Sequence, residues 1–177
     1  REIFIERGDF MEEPVKGFFR LSPGKEVRLK YAYLVTCTGV VKDENGRITE
    51  IRCKADMDSR GGDAPDGRKV KGTLHWVWAG DAVPATVNLY GNLFTLRNMN
   101  DMEEGKDYKD YLNPESLRVA EGALVEPSLA KAAPLDKFQF LRHGYFCADT
   151  ATTPEKPVFN LTVSLKDSWG KEQKKQG

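Results

Sequence analysis

A side-chain period of two constrains this chain more than any other feature. In "EVRLKYAYLVTC", Val27, Leu29, Tyr31 and Tyr33 alternate with Arg28, Lys30 and Ala32, as in a strand with one buried and one solvated face. The alternation returns in "GRITEIRCKADMD", "KVKGTLHWVWAG", "ATVNLYGNLFTL", "KFQFLRHGYFCAD" and "PVFNLTVSLKD". It puts Trp76 and Trp78 on one side of their segment, and Phe159, Leu161, Val163 and Leu165 on one side of theirs. Asn45-Gly46 in "DENG" favours the positive-φ geometry of a tight hairpin. Turn-rich connections occupy 59–68 and 98–115. Helical signals are few: "NPESLRVAEG", with Asn113 as N-cap and Pro114 at the first helical position, and a turn or two in "EPSLAKAAP". The pattern predicts an all-β barrel or sandwich with a few short helices, and the lack of βαβ alternation argues against a nucleotide-binding α/β fold.

Charge narrows the choice of partners. Lys plus Arg equals Asp plus Glu at 27 each, whereas a general nucleic-acid coat carries a basic excess. Any nucleic-acid site here is a local patch of cations. Cys37, Cys53 and Cys147 form no CxxC pair and no metal-ligand spacing, so they read as reduced thiols. No apolar run approaches the roughly 20 residues of a membrane span. The chain opens at Arg1, directly in a strand-like segment, which reads as a piece of something longer. The tail "KEQKKQG" reads as disordered.

Catalytic signatures are absent from the sequence. There is no P-loop, no GxGxxG after a strand and no GxSxG. His75 and His143 have no ligand partner at helical metal spacing, and "GGDAPDG", with Asp63 and Asp66, lacks the terminal Glu of a calcium loop. No catalytic residue, bound cofactor or metal site is predicted within these 177 residues.

Several segments taken together resemble one family. "GKEVRLKYAY", "DGRKVKGTLHWV", "LYGNLFT", "LNPESL", "EPSL", "FQFLRHGYFCAD" and "KPVFNLTVSLKDSW" are similar, in order and spacing, to the C-terminal part of bacterial-type glutaminyl-tRNA synthetase. The archaeal and eukaryotic glutamyl-tRNA synthetases are neighbours to exclude. The resemblance implies two six-stranded-type β-barrels of the kind seen in a ribosomal protein: a proximal barrel from 1–21 and 95–170, and a distal one from 22–94, followed by a disordered tail at 171–177. It implies a monomeric, cytoplasmic ATP-dependent ligase as the parent. Its ATP and magnesium sites would lie in a catalytic half that is not in this sequence, leaving this part inactive alone. The partners implied are the anticodon loop of glutamine tRNA and that catalytic half, with no membrane and no DNA.

The resemblance also assigns residues. Arg20 would contact the third anticodon base, a guanine, and Arg28 the first, wobble base, with Leu29, Lys30 and Tyr31 lining the wobble pocket. Arginine suits this work because its planar fork offers paired donors to a guanine edge or a phosphate. Gln139 would read the middle base, a uracil, whose mixed edge suits an amide, and Arg142 would reach phosphate or loop. Phe19 stands where the family often has a cation, and Leu141 where some relatives have an acid. Strand pattern alone also fits Arg20, Arg28 and Lys30 as a solvated face with stems covering rings. A stand-alone ribosomal RNA-binding barrel and a protein-interaction barrel are the alternatives from other classes.

Overall fold

The computed structural model describes residues 1–165. The chain divides into two compact units, Arg1–Gly80 and Asp81–Gly177, and the expected disordered tail at 171–177 lies outside the described residues.

In the first unit β1 (Ile3–Phe4), β2 (Glu26–Leu29), β3 (Leu34–Lys42), β4 (Ile48–Asp56), β5 (Thr73–Leu74) and β6 (Val77–Trp78) form two sheets. One has the order β4-β3-β2-β5, the other is the β1-β6 pair. β2 and β3 are antiparallel, whereas β5 joins β2 in parallel. Phe10, Leu21, Val27, Leu29, Val35, Cys37 and Leu74 make the core. Phe10 and Leu21 therefore pack with the strands of this unit, where the sequence reading grouped 1–21 with 95–170. The hairpin joining β3 and β4 is set by Asp43: its carboxylate accepts from the N–H groups of Asn45 and Arg47 at 2.9 and 2.8 Å, and only Gly46 takes positive φ, at 76°. Cys37 and Cys53 are register partners across it. Both are free thiols, Cys37 buried and Cys53 exposed; partial desolvation of the Cys53 sulfur and the neighbouring Cys37 push the Cys53 pKa up to about 11.

The second unit is a five-stranded sheet ordered β8-β7-β11-β10-β9, from β7 (Val83–Tyr90), β8 (Leu117–Val125), β9 (Lys137–Phe140), β10 (Gly144–Ala148) and β11 (Val158–Ser164). β7 and β11 run parallel, the other neighbours antiparallel. Its core gathers Ala85, Val87, Val125, Leu129, Phe146, Ala148 and Phe159. The Phe140 ring stacks on Phe146 at 4.4 Å and meets Phe159 edge-on at 5.4 Å, while Phe138 meets Phe159 edge-on at 5.7 Å.

The architecture is mostly β with short 3-10 helices, as the alternation predicts; one of them, Pro127–Lys131, falls in "EPSLAKAAP". Three details differ. The segment after Asn113 is strand β8, not helix: the Asn113 side chain caps a turn by accepting from the Glu115 N–H at 3.0 Å, and pairing with β7 from Val83↔Val125 to Tyr90↔Leu117 overrides local propensity. "TLHWVW" is two short strands with different partners, β2 for Leu74 and β1 for Val77 and Trp78. Trp76 is thereby half-buried and Trp78 exposed. Along β11 and just past its end, Phe159 is buried but Val163 and Leu165 are exposed.

Candidate nucleic-acid interface

Arg20 is placed by a short-range backbone frame. Leu21 N–H donates to Asp9 C=O at 3.0 Å and Met11 N–H to Leu21 C=O at 3.1 Å, fixing Arg20 opposite the turn that contains Asp9. Its Nη1 lies 2.7 Å from Asp9 Oδ1, and the Asp9 side chain is 0% exposed. The same nitrogen donates to Gly8 C=O at 3.2 Å. A buried carboxylate thus holds one end of the guanidinium, and the rest of a side chain that is 41% exposed faces outward.

The Ser22–Lys25 turn, closed by Lys25 N–H to Ser22 C=O at 2.9 Å, leads into β2 and Arg28. Arg28 N–H donates to Gly72 C=O at 2.8 Å. Its Nε donates to Gly62 C=O, and its Nη2 lies 3.6 Å from Asp63 Oδ1, a fully exposed carboxylate. Segment 57–72 folds over this arginine and forms an open groove of about 560 Å³ with Asp63, Arg68, Lys69 and Lys71 on its wall. Lys71 Nζ sits 5.1 Å from the Phe19 ring centre, and that ring is 59% exposed. A cation over an exposed aromatic face is a combination that suits a base and its phosphate.

Two anchors hold this segment, and neither is apparent from the sequence. Ser59 is buried; its Oγ accepts from Leu34 N–H at 2.8 Å and donates to Asp56 C=O at 2.6 Å. Arg68 binds three carboxylates: Glu26 through two bonds of 2.9 and 2.8 Å, Asp56 at 2.6 Å and Asp66 at 2.8 Å. These bonds raise the Arg68 guanidinium, Glu26 first. The guanidinium in turn lowers Glu26 and Asp56, and the Arg68 backbone N–H, then its side chain, lowers Asp66. The latch is therefore complete above the ordinary carboxylate range, about pH 4, and is lost as pH falls through the lowered values. Hydrogen exchange across 57–72, corrected for intrinsic rate, should show protection at about pH 6 that declines below about pH 4; protection unchanged by acid would contradict the latch.

The period of two stops at Leu29. Leu29 lies in the core, its N–H donates to Tyr33 C=O at 2.9 Å and its C=O accepts from Ala32 N–H at 3.0 Å. Lys30 begins a turn in which Tyr31 has φ 60° and is 84% exposed. Tyr31 therefore does not share the face of Val27 and Leu29. Lys30 lies over the Tyr31 ring at 5.0 Å, and its C=O accepts from Trp76 Nε1 at 3.0 Å. Arg20, Arg28, Lys30 and Tyr31 thus all belong to the first unit.

Gln139 and Arg142 belong to the second. Gln139 is exposed on β9, the edge strand, opposite the inward Phe138 and Phe140. Arg142 is half-buried in the β9–β10 turn with φ 70°, a residue of the hairpin frame. Among the described residues no group of three His, Cys, Asp or Glu is arranged to hold a metal ion, and no helix is long and apolar enough to cross a membrane.

Comparison with known proteins adds to this geometry. A family model described as "tRNA synthetases class I (E and Q), anti-codon binding domain" matches residues 1–56, and a second with the same description matches residues 73–149. The interval between them is the segment that closes over Arg28. The glutamine–tRNA ligase of Nitrobacter winogradskyi is 52% identical over 171 residues, 97% of this chain and 30% of that protein. The glutamine–tRNA ligase of Bradyrhizobium diazoefficiens is 49% identical over 172 residues, again 97% and 30%. That of Pseudomonas putida is 52% identical over 171 residues, 96% and 30%. The chain spans about 30% of the length of these relatives.

Proposed function

Because this chain belongs to the anticodon-binding domain family of the class I tRNA synthetases for E and Q, we propose that it reads the anticodon loop of glutamine tRNA as part of a glutamine–tRNA ligase. Identity of about half its residues with glutamine–tRNA ligases favours glutamine over glutamate. In this reading the sheets of the two units are the walls of two β-barrels, and the parent is a monomeric cytoplasmic enzyme whose ATP and magnesium are bound by another part of it. The present residues bind RNA and perform no bond-making step.

The observation that carries the reading is Arg20 tethered at one end to buried Asp9, with Arg28 in the same unit beyond a tight turn. A single-stranded loop base is read when splayed out and met by hydrogen bonds at its edge. A guanidinium whose orientation is already set by a carboxylate loses less freedom when it takes up a guanine edge or a phosphate. Arg20 reads the third base and Arg28 the first. For Arg28, the RNA must displace Asp63, an exposed and weakly held competitor. Gln139 offers its amide to the middle base.

Arg20→Ala should weaken binding of the glutamine tRNA anticodon stem-loop by about 1–3 kcal/mol and relax selectivity at the third base. Equal affinity of the unaltered protein for stem-loops with the native and a changed third base would sink the assignment.

A further inference from the structure

We propose that Tyr145 is the stacking platform for the base whose edge Gln139 reads, a role that rests on the anticodon reading above. Tyr145 stands directly opposite Gln139 in the β9–β10 ladder and opposite Val163 in the β10–β11 ladder. All three side chains are exposed, Tyr145 at 47% and Val163 at 59%. Directly opposed residues of antiparallel strands hold their Cβ atoms about 5 Å apart on one face. A planar base lying on the Tyr145 ring therefore has its edge within reach of the Gln139 amide. Lys137, exposed two residues before Gln139 and so on the same face, supplies a cation for the adjoining phosphate.

The ring lies outside the buried core of the unit. The opposite face of this sheet already contains Phe138, Phe140, Phe146 and Phe159. The ladder is irregular at this residue: the β10–β11 register shifts between Tyr145 and Phe146, and Thr162 Oγ1 donates to Tyr145 C=O at 2.8 Å, fixing the kink. A bulge twists its strand and re-aims a side chain, and such irregularities recur beside binding sites. An open sheet with an outward aromatic beside an amide is a chemistry that single-stranded RNA modules use for bases. The occupant it fits is a pyrimidine with a mixed donor and acceptor edge, as in uracil.

The test compares anticodon stem-loop RNA carrying uracil, or an abasic residue, at the middle position. Tyr145→Ala and Tyr145→Leu should each weaken binding of the uracil RNA about five- to a hundredfold, while Tyr145→Phe, which keeps the π face, should bind within about twofold of the unaltered protein. The Tyr145→Ala loss should vanish on the abasic RNA. Leucine keeps an apolar side chain on the strand, so its loss of binding with an unchanged melting temperature separates stacking from folding. If Tyr145→Ala binds normally while Gln139→Ala is weakened, the platform is wrong and the anticodon reading stands. A Tyr145→Ala loss that persists on abasic RNA also overturns the platform. If Arg20→Ala and Gln139→Ala both bind normally, the anticodon reading falls and the platform with it.

Discussion

Phe159→Ala should destabilise the second unit by about 3–5 kcal/mol, the range for truncating a large buried aromatic. Phe159 is 0% exposed and receives the edges or faces of Phe138 and Phe140 from β9. Removing it opens a cavity beneath the strand that carries Gln139, and close-packed interiors refill such space poorly. Urea unfolding followed by circular dichroism would measure the loss, and hydrogen exchange of β9–β11 would locate it. A loss below about 1 kcal/mol would mean that this aromatic cluster is not the core of the sheet.

Gly72→Ala should be comparably severe, by a different cause. A Cβ on Gly72 would sit 2.2 Å from Phe19 C=O and 2.9 Å from Val27 Cγ1, and the first of these is backbone with no rotamer to change. Overpacking typically costs about 1–3 kcal/mol and more where backbone must move; here the carbonyl overlap puts the expectation at about 3 kcal/mol or above. Gly72 C=O is also the acceptor for Arg28 N–H. The wedge would therefore part Phe19 from β2 and disturb the arginine frame, so stem-loop binding should fall with stability. Thr73→Ala, an exposed neighbour, should leave both nearly unchanged. A Gly72→Ala protein as stable as its parent would show that Phe19 and β2 are not held in this register.

The strand content was legible because alternation needs only a local count. "EVRL", "KFQF" and "GYFCA" have the faces that their period assigns. The point at which alternation stops was not legible. Tyr31 continues the apolar series in sequence yet occupies a left-handed turn, because the chain must reverse there for β3 to pair with β2. Asn113-Pro114 is a sound helix start by local chemistry, and β7 overrode it from outside the window. The site divides in the same way. Arg20, Arg28 and Gln139 could be named from family likeness, but the groups around Arg28 are remote: Gly62 carries its acceptor from 34 residues away, and Glu26 meets Arg68 of the covering segment across 42. Of the Arg68 partners only Asp66 is local, accepting from the Arg68 N–H at 3.1 Å; nothing local points to Glu26 or Asp56.

The ion pairs of Arg20 with Asp9 and of Arg28 with Asp63 carry a thermodynamic consequence. An arginine that arrives at a polyanion already matched by a carboxylate brings little net charge, so it displaces few condensed sodium or potassium ions from the RNA. The entropy of those freed ions is what lets basic proteins grip any nucleic acid indiscriminately at low salt. A chain with as many acids as bases, whose two arginines proposed to read bases already face carboxylates, largely gives up that indiscriminate grip. What remains favours a loop that offers Arg28 a better partner than exposed Asp63 and that fits the part of the Arg20 guanidinium left open by buried Asp9.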